Sequence, residues 1–505
     1  MGTGINIGKM LFNRAFLSPS MEACVGSGYR YTFEEFNKRA NRFAAYLQGL
    51  GMSRGDRIAT LCKNNEHVVT AIFGAAKIGV VTVTLNWRLQ VPELEYILSD
   101  CGASLVVYDS EFRPAVDKLQ GQGPAKAFLS AGGSSDENEF ESAIGKTADR
   151  EPDITGGGED PAVIMYTSGT TGKPKGAVLT HNNLFWASIG LAHTIDWGYG
   201  YRFLSVAPLF HIGGLAPIMG NVHSACTTVF MPNFDPVKIW DVVESEKINF
   251  MMTVPMMLQF MLLAPNIDKK DLSAIKYFVC GGSAVPESLI KTYGEKLGIR
   301  ITHVYGITEY SGAVTFWTAD MGADKSNSMG KPVFHGDVKI CEPGKNRELP
   351  AGEVGEICCA GPQVFAGYWN NPNATAEVLK NGLYRSGDMG KKDEAGFLYV
   401  VDRLKDMIIS GGENVYPAEL ETVISAVPGV AEVAVVGKPD KKWGEIPVAF
   451  VVKKPGAEVM EQEVLESCKG NLASYKCVRE VRFIDAIPKN AVGKVLKKTL
   501  KESFT

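Results

Sequence analysis

The sequence gives little support to disulfide or zinc chemistry. Its ten cysteines are scattered through 505 residues with no CxxC spacing, and only Cys358 and Cys359 are adjacent. A disulfide framework needs a far higher density, so these read as reduced thiols of a cytosolic protein. With seven histidines and no HExxH, a zinc site lacks its usual ligand spacing, and any metal is expected to be oxygen-bound. No GxSxG elbow occurs, and Gly2-Thr-Gly4 has neither the third glycine nor the preceding strand of a dinucleotide fingerprint. Serine hydrolysis and hydride transfer therefore lose their signatures. Positive charge is not in excess either: the net charge is −4, which gives no reason to expect nucleic acid.

Uninterrupted hydrophobic runs of membrane-spanning length are also missing. The uncharged stretch Phe203 to Phe234 is broken by Pro208, Pro217 and Pro232, and Ile248 to Pro265 by Asn249, Pro255 and Gln259. Both are expected to form protein interior. The N-terminal residues lack a signal-peptide apolar region, and Asn6 stands where a myristoylation motif carries Ser or Thr. A cytoplasmic protein is expected. Its contact with membranes would be weak and peripheral, since no contiguous basic amphipathic stretch is present.

A chain of 505 residues predicts two or three domains. Strand patterns at Arg57 to Cys62, Val80 to Leu85 and Ser104 to Tyr108 alternate with helical ones at Val68 to Ile78 and Pro92 to Leu98, which predicts βαβ units and a largely parallel sheet. A low-order region follows, with Gly/Ser-rich connections at Ala131 to Ser135 and Gly156 to Gly158. After the charged segment Asp402 to Asp406 the pattern becomes compact α+β. Strands are expected at Val430 to Val436, Val448 to Val452 and Glu480 to Ile484, with a helix at Gln462 to Leu472.

One loop stands out. YTSGTTGKPKG, Tyr166 to Gly176, holds three glycines, the hydroxyls of Thr167, Ser168, Thr170 and Thr171, and two lysines, and the apolar strand Pro161 to Met165 runs into it. Glycines let backbone N–H groups approach phosphate oxygens while hydroxyls and ammoniums add donors. Only two residues separate Gly169 from Gly172, and Pro174 follows Lys173 where a P-loop carries Ser or Thr. A P-loop kinase is thereby disfavoured, and a surface hairpin with turn glycines remains the bland alternative.

The loop resembles the phosphate-loop signature of the adenylate-forming superfamily, and further matches follow in that family's order. They are Ala207-Pro-Leu-Phe-His-Ile-Gly213, Cys280-Gly-Gly-Ser-Ala284, Tyr305-Gly-Ile-Thr-Glu309, Tyr384-Arg-Ser-Gly-Asp388, Asp402-Arg-Leu-Lys-Asp406, Gly411-Gly-Glu-Asn-Val415 and Pro488-Lys-Asn-Ala-Val-Gly-Lys494. The likeness covers nearly the whole chain and is greatest to bacterial fatty-acyl-CoA synthetases, especially through KDMIISGGENVYPAELE. It implies a large α/β N-terminal domain over residues 1–402, with sheets, flanking helices and a small β-barrel, and a smaller mobile α+β domain over 403–505. It also implies ATP, Mg2+ and coenzyme A, acting on a carboxylic acid in a monomer or homodimer.

The resemblance further assigns roles. Thr167, Ser168, Gly169, Thr170, Thr171, Gly172 and Lys173 would fold over the phosphates, and Thr308 and Glu309 would hold the α-phosphate and magnesium. Tyr305 would flank adenine beside a backbone wall of Gly281, Gly282, Ser283 and Ala284, and Gly306 would lie near the acyl group. Asp388 would accept both ribose hydroxyls with Arg403 as its cationic companion. Lys494 would bridge carboxylate and α-phosphate, although among Lys489, Lys497, Lys498 and Lys501 composition alone reads only a solvated basic face. His211 would be an aromatic gate beside the acyl and thiol channels, where the bland reading is a hydrogen-bonded core histidine. Lys405 matches the hinge, and Gly411, Gly412 and Glu413 the hairpin lining the pantetheine path; Trp443 resembles a CoA-proximal residue, with a core tryptophan as the alternative.

The expected acid is a medium- or long-chain fatty acid, with an aryl acid of the benzoate or cinnamate type as the alternative. Five of seventeen methionines fall within Met251 to Met261, which suits an adaptable acyl channel but equally packing against a sheet. An amino-acid adenylation domain is disfavoured because Phe210-His211-Ile212 occupies the place of its amine-binding aspartate, and the chain ends eleven residues after Lys494 without a carrier domain. No feature supports a luciferase-like oxidase. The rival of another class is a catalytically silent ATP- and acyl-binding sensor, whose mark would be decay at Lys494, Glu309 or Asp388; all three are present.

Overall fold

The computed structural model describes residues 4–133, 138–167, 173–265, 267–283, 285–404, 406–410, 413–440, 443–472, 476–489 and 495–504, without the side chains of 403, 413 and 414. By its internal packing the chain forms two compact units, one of residues 1–338 and 359–385, the other of 339–358 and 386–505.

In the first unit, the early alternating pattern builds a seven-stranded sheet. Its spatial order is Gly367–Tyr368, Lys175–Thr180, Pro161–Thr167, Val81–Thr84, Arg57–Leu61, Leu105–Asp109 and Ala127–Ala131. The last five strands pair in parallel, and the first two join antiparallel. Leu105–Asp109 is buried throughout, which is why it reads as an apolar run without alternation, and Val81–Thr84 is equally buried although Val and Thr alternate along it. The helix Glu66–Lys77 starts where the Asn65 side chain accepts from the Val68 N–H, and Val91–Cys101 stops where Gly102 turns left-handed at φ 65°. The region expected to have little order instead carries the strand Ala127–Ala131 and the helix Glu139–Ile144. Both are too short to show a period, yet they bury Leu129, Ala131, Phe140 and Ile144, and the Ser130 hydroxyl donates to Glu139 at 2.9 Å.

A second, nine-stranded sheet lies in the same unit. Its order is Lys331–Pro332, Gly312–Trp317, Arg300–Ile307, Tyr277–Gly281, Phe250–Thr253, Arg202–Ser205, Thr227–Phe230, Glu22–Gly26 and Tyr29–Thr32. The strands from Arg300–Ile307 to Glu22–Gly26 run parallel. The two uncharged runs supply three of these strands together with the helices Ile212–His223 and Pro255–Met261; the first is mostly interior, whereas the second, expected as interior, exposes Met256, Phe260 and Leu263. Among the described residues no helix is long and apolar enough to cross a membrane. Met251 and Met261 are fully buried in the cluster with Trp240, Phe278 and Tyr293, so part of the methionine run is packing.

The second unit contains the sheet ordered Glu413–Val415, Ile408–Ser410, Gly444–Lys453 and Val430–Asp440, with Glu480–Phe483 parallel to Gly444–Lys453. The helix Glu461–Asn471 and all three expected strands are present, and Val435, Ala449, Val451, Val464 and Cys468 are buried together. A further five-stranded sheet is formed by Asp337–Cys341, Gly355–Ala360, Leu383–Lys392, Leu379–Lys380 and Leu398–Arg403, and the division between units falls inside its strands. All ten cysteines are buried and carry thiols outside any disulfide.

Candidate active site

Motifs separated by long stretches of sequence lie at equivalent positions of the nine-stranded sheet. The strands Arg202–Ser205, Phe250–Thr253, Tyr277–Gly281 and Arg300–Ile307 are consecutive and parallel, and the segments around His211, Met252, Gly281 and Thr308 lie at or just beyond their C-terminal ends. Ligands of open α/β sheets bind at such ends. Gly281 pairs with Val304, and a Cβ at Gly281 would stand 2.6 Å from the Val304 carbonyl oxygen, so the backbone approach there requires glycine. Gly282 and Ser283 are exposed, Tyr305 is half-buried, and Gly306 pairs with Ala313. Ala284 lies outside the described residues.

His211 is exposed and caps the helix Ile212–His223, its Nδ1 accepting from the Gly213 N–H at 3.2 Å. The core-histidine alternative is thereby set aside. The Met252 methyl lies 3.7 Å and 3.5 Å from the Cβ positions of Gly213 and Gly281, placing it between the His211 helix and the strand end. Met252 thus faces the site while its neighbour Met251 is fully buried in the core.

The phosphate-type loop joins the antiparallel strands Pro161–Thr167 and Lys175–Thr180, with Thr167 opposite Lys175. Ser168, Gly169, Thr170, Thr171 and Gly172 lie outside the described residues. The flanks are anchored: Tyr166 donates to Asp100 at 2.5 Å, the Lys173 ammonium stands 5.3 Å over the Tyr96 ring, and Lys175 stands 5.3 Å over Tyr368.

Thr308 and Glu309 form a 3₁₀ turn that ends in Ser311, held left-handed at φ 56°. Glu309 is buried, and Tyr368 donates to its Oε1 at 2.7 Å. Burial first, and then the neighbouring Glu309 carboxylate, pushes the Tyr368 hydroxyl far above the ordinary phenol range, so it stays a donor. The sequence reading missed Tyr368. Its only linear signal is an aromatic Gly-Tyr-Trp run between two motifs, and strand pairing alone brings it to Glu309.

In the second unit, Asp388 is half-buried and opposite Arg403 across antiparallel strands, the register that an acidic and a basic partner need. Its backbone N–H donates to Ser386 Oγ at 3.0 Å, and that hydroxyl donates to the Ile357 carbonyl at 2.7 Å. Lys405, Gly411, Gly412 and Lys494 lie outside the described residues, as do the side chains of Arg403 and Glu413. The flanking geometry is defined: Ser410 pairs with both Glu413 and Gly444, the residue after Trp443. Trp443 is half-buried with Arg479 stacked 4.7 Å from its ring centre, so it is not a core residue. Lys489 pairs with Val495 by a β-bridge, and Lys489 and Lys497 are engaged by Glu432 and Glu421 at 2.6 and 2.8 Å. These two lysines of the basic cluster have structural partners of their own.

A phosphate-type hairpin on one sheet, a buried carboxylate at the strand ends of another, and a separate α+β unit carrying the ordered C-terminal motifs define an adenylate-forming enzyme. The chain belongs to the AMP-binding enzyme family, in its acyl-CoA synthetase branch: the family matches residues 11–369 and its C-terminal domain residues 419–494. It is 41% identical over 502 residues to the long-chain-fatty-acid–CoA ligase FadD13 of Mycobacterium tuberculosis, covering 99% of each chain. To the feruloyl-CoA synthase of an Amycolatopsis species it is 38% identical over 499 residues, again covering 99% of each. ATP-bound MatB from Rhodopseudomonas palustris superposes with a TM-score of 0.92 at 30% identity over 99% of both chains.

Proposed function

We propose that the protein joins a medium- or long-chain fatty acid to coenzyme A at the expense of ATP, in the cytoplasm, as a monomer or homodimer. The full-length likeness to a long-chain-fatty-acid–CoA ligase carries this reading. In the first half-reaction a carboxylate oxygen bonds to the α-phosphorus and the bond to pyrophosphate breaks. In the second, the CoA sulfur bonds to the acyl carbon, AMP leaves with the electron pair of the C–O bond, and the thiol proton is released.

The first step brings together two anions, so cations and fixed donors must offset the charge. We assign Thr167 to Lys173 to the departing pyrophosphate, Thr308 to the α-phosphate, Asp388 and Arg403 to the ribose, and Lys494 to the oxygens of carboxylate and α-phosphate. Tyr305 and the Gly281 to Ala284 backbone flank the adenine, and His211 and Gly306 the acyl group. A buried carboxylate such as Glu309 suits the hard, oxygen-preferring Mg2+, which when bound neutralises phosphate charge. We assign the change between half-reactions to rotation of 403–505 against 1–402 about Lys405. Gly411, Gly412, Glu413 and Trp443 then serve the thiol path.

The likeness to a feruloyl-CoA synthase favours an aryl acid as the second reading. A panel of octanoate, palmitate, benzoate and cinnamate, read by acyl-CoA formation, separates the two. Turnover of octanoate or palmitate is expected, and turnover of the aryl acids alone would overturn the fatty-acid assignment.

A further inference from the structure

The segment 360–369 is a strap between two motifs that the sequence keeps far apart. Along one side it is laced to the Glu309 turn. The Tyr310 hydroxyl donates to the Ala360 carbonyl at 2.8 Å, Ser311 Oγ to the Gln363 carbonyl at 2.9 Å, Phe365 N–H to the Glu309 carbonyl at 2.9 Å, and Tyr368 to Glu309 Oε1 at 2.7 Å. Along the other it pairs with the strand leaving the phosphate loop. Ala366 N–H donates to the Val178 carbonyl at 3.0 Å and Trp369 N–H to the Gly176 carbonyl at 2.7 Å, with Tyr368 opposite Ala177.

We propose that Tyr368 is the positioning residue for the divalent cation. Its hydroxyl fixes the Glu309 carboxylate by one oxygen and ties that carboxylate to the strand emerging from the phosphate loop. An ionised carboxylate only accepts hydrogen bonds, and a phenol hydroxyl at hydrogen-bond distance is a matching donor that does not compete for the metal. The Tyr368 ring is itself fixed: Phe365 packs edge-on at 5.0 Å and Lys175 lies over its face. Loss of the hydroxyl leaves the ring and its packing but removes the constraint on the carboxylate. Groups that orient a metal ligand in this way are typically worth about 10- to 100-fold in metal affinity.

The proposal rests on Glu309 as the metal ligand, and the test separates the two. Mn2+ binding to the full chain with α,β-methylene-ATP is followed by the electron paramagnetic resonance of free Mn2+, for the parent, Tyr368→Phe and Glu309→Gln. Tyr368→Phe is expected to raise the Mn2+ dissociation constant about tenfold, with the metal-free affinity for the nucleotide analogue and the thermal unfolding midpoint held at parental values. Glu309→Gln should weaken Mn2+ at least as much. An unchanged Mn2+ affinity in Tyr368→Phe, with Glu309→Gln weakened, would overturn the positioning role alone. No change in either variant would remove Glu309 from the metal site. A lowered midpoint with metal-free nucleotide binding weakened as much as Mn2+ binding would make the hydroxyl merely structural and also overturn the proposal.

Discussion

At His181 the chain buries a titratable ring, and the fold carries a pH dependence as a result. Its Nδ1 accepts from the Ile7 N–H at 3.3 Å, which requires that nitrogen to be unprotonated. Burial lowers its pKa from 6.5 to about 4, only partly opposed by Asp160, and His303 is lowered to about 4 by the same cause. Between those values the unfolded chain binds protons that the folded chain refuses, so stability falls as pH drops from 6.5 towards 4. Each histidine is expected to cost about 2 kcal/mol at pH 5 relative to pH 7. Denaturant unfolding at the two pH values checks this: His181→Gln should flatten the dependence by its share, and an unchanged slope would refute it. Residues of this kind are illegible in the sequence, because only tertiary burial distinguishes His181 from the exposed His211. Glu309 and Asp388 were legible through their motifs. Tyr368 was not, since its partner is reached through sheet register.

The elements of the first unit explain why the motifs converge. Consecutive parallel strands bring the segments around His211, Gly281 and Thr308 to one edge, an order set by crossovers that linear spacing does not encode. The strands at Arg57–Leu61, Val81–Thr84, Leu105–Asp109 and Pro161–Thr167 were readable from their apolar runs, whereas those of the nine-stranded sheet were not assigned and Ala127–Ala131 was lost among short glycine- and serine-rich connections. In the second unit two elements divide the labour in the proposed cycle. There the hairpin between Ile408–Ser410 and Glu413–Val415 would serve thioester formation, and the connection closed by the Lys489–Val495 bridge would serve adenylation. Lys494→Ala should lower acyl-adenylate formation about 10²- to 10³-fold, as loss of a charge-stabilising donor does, yet still convert supplied acyl-AMP to acyl-CoA. Gly412→Leu should do the opposite, sparing acid-dependent ATP–pyrophosphate exchange while blocking thioester release. Equal loss of both half-reactions in either variant would count against the division.

For the whole molecule, the sequence placed the boundary at 402/403, whereas packing assigns 339–358 and 386–402 to the unit that holds the C-terminal segment. The two describe different things: a charged segment proposed to act as a hinge, and the sheet through whose strands the chain passes between units. All five strands of that sheet lie within 337–403, a stretch in which the apolar pattern pointed to no strand. As a whole, the chain is an AMP-forming acyl-CoA ligase that spends ATP to AMP and pyrophosphate in order to join an acid to a thiol. The most direct measurement identifies the products from ATP, Mg2+, CoA and octanoate or palmitate. AMP and acyl-CoA are expected in equal amounts, with neither formed when the acid is omitted. Production of ADP, or nucleotide binding with no acid-dependent AMP, would contradict it.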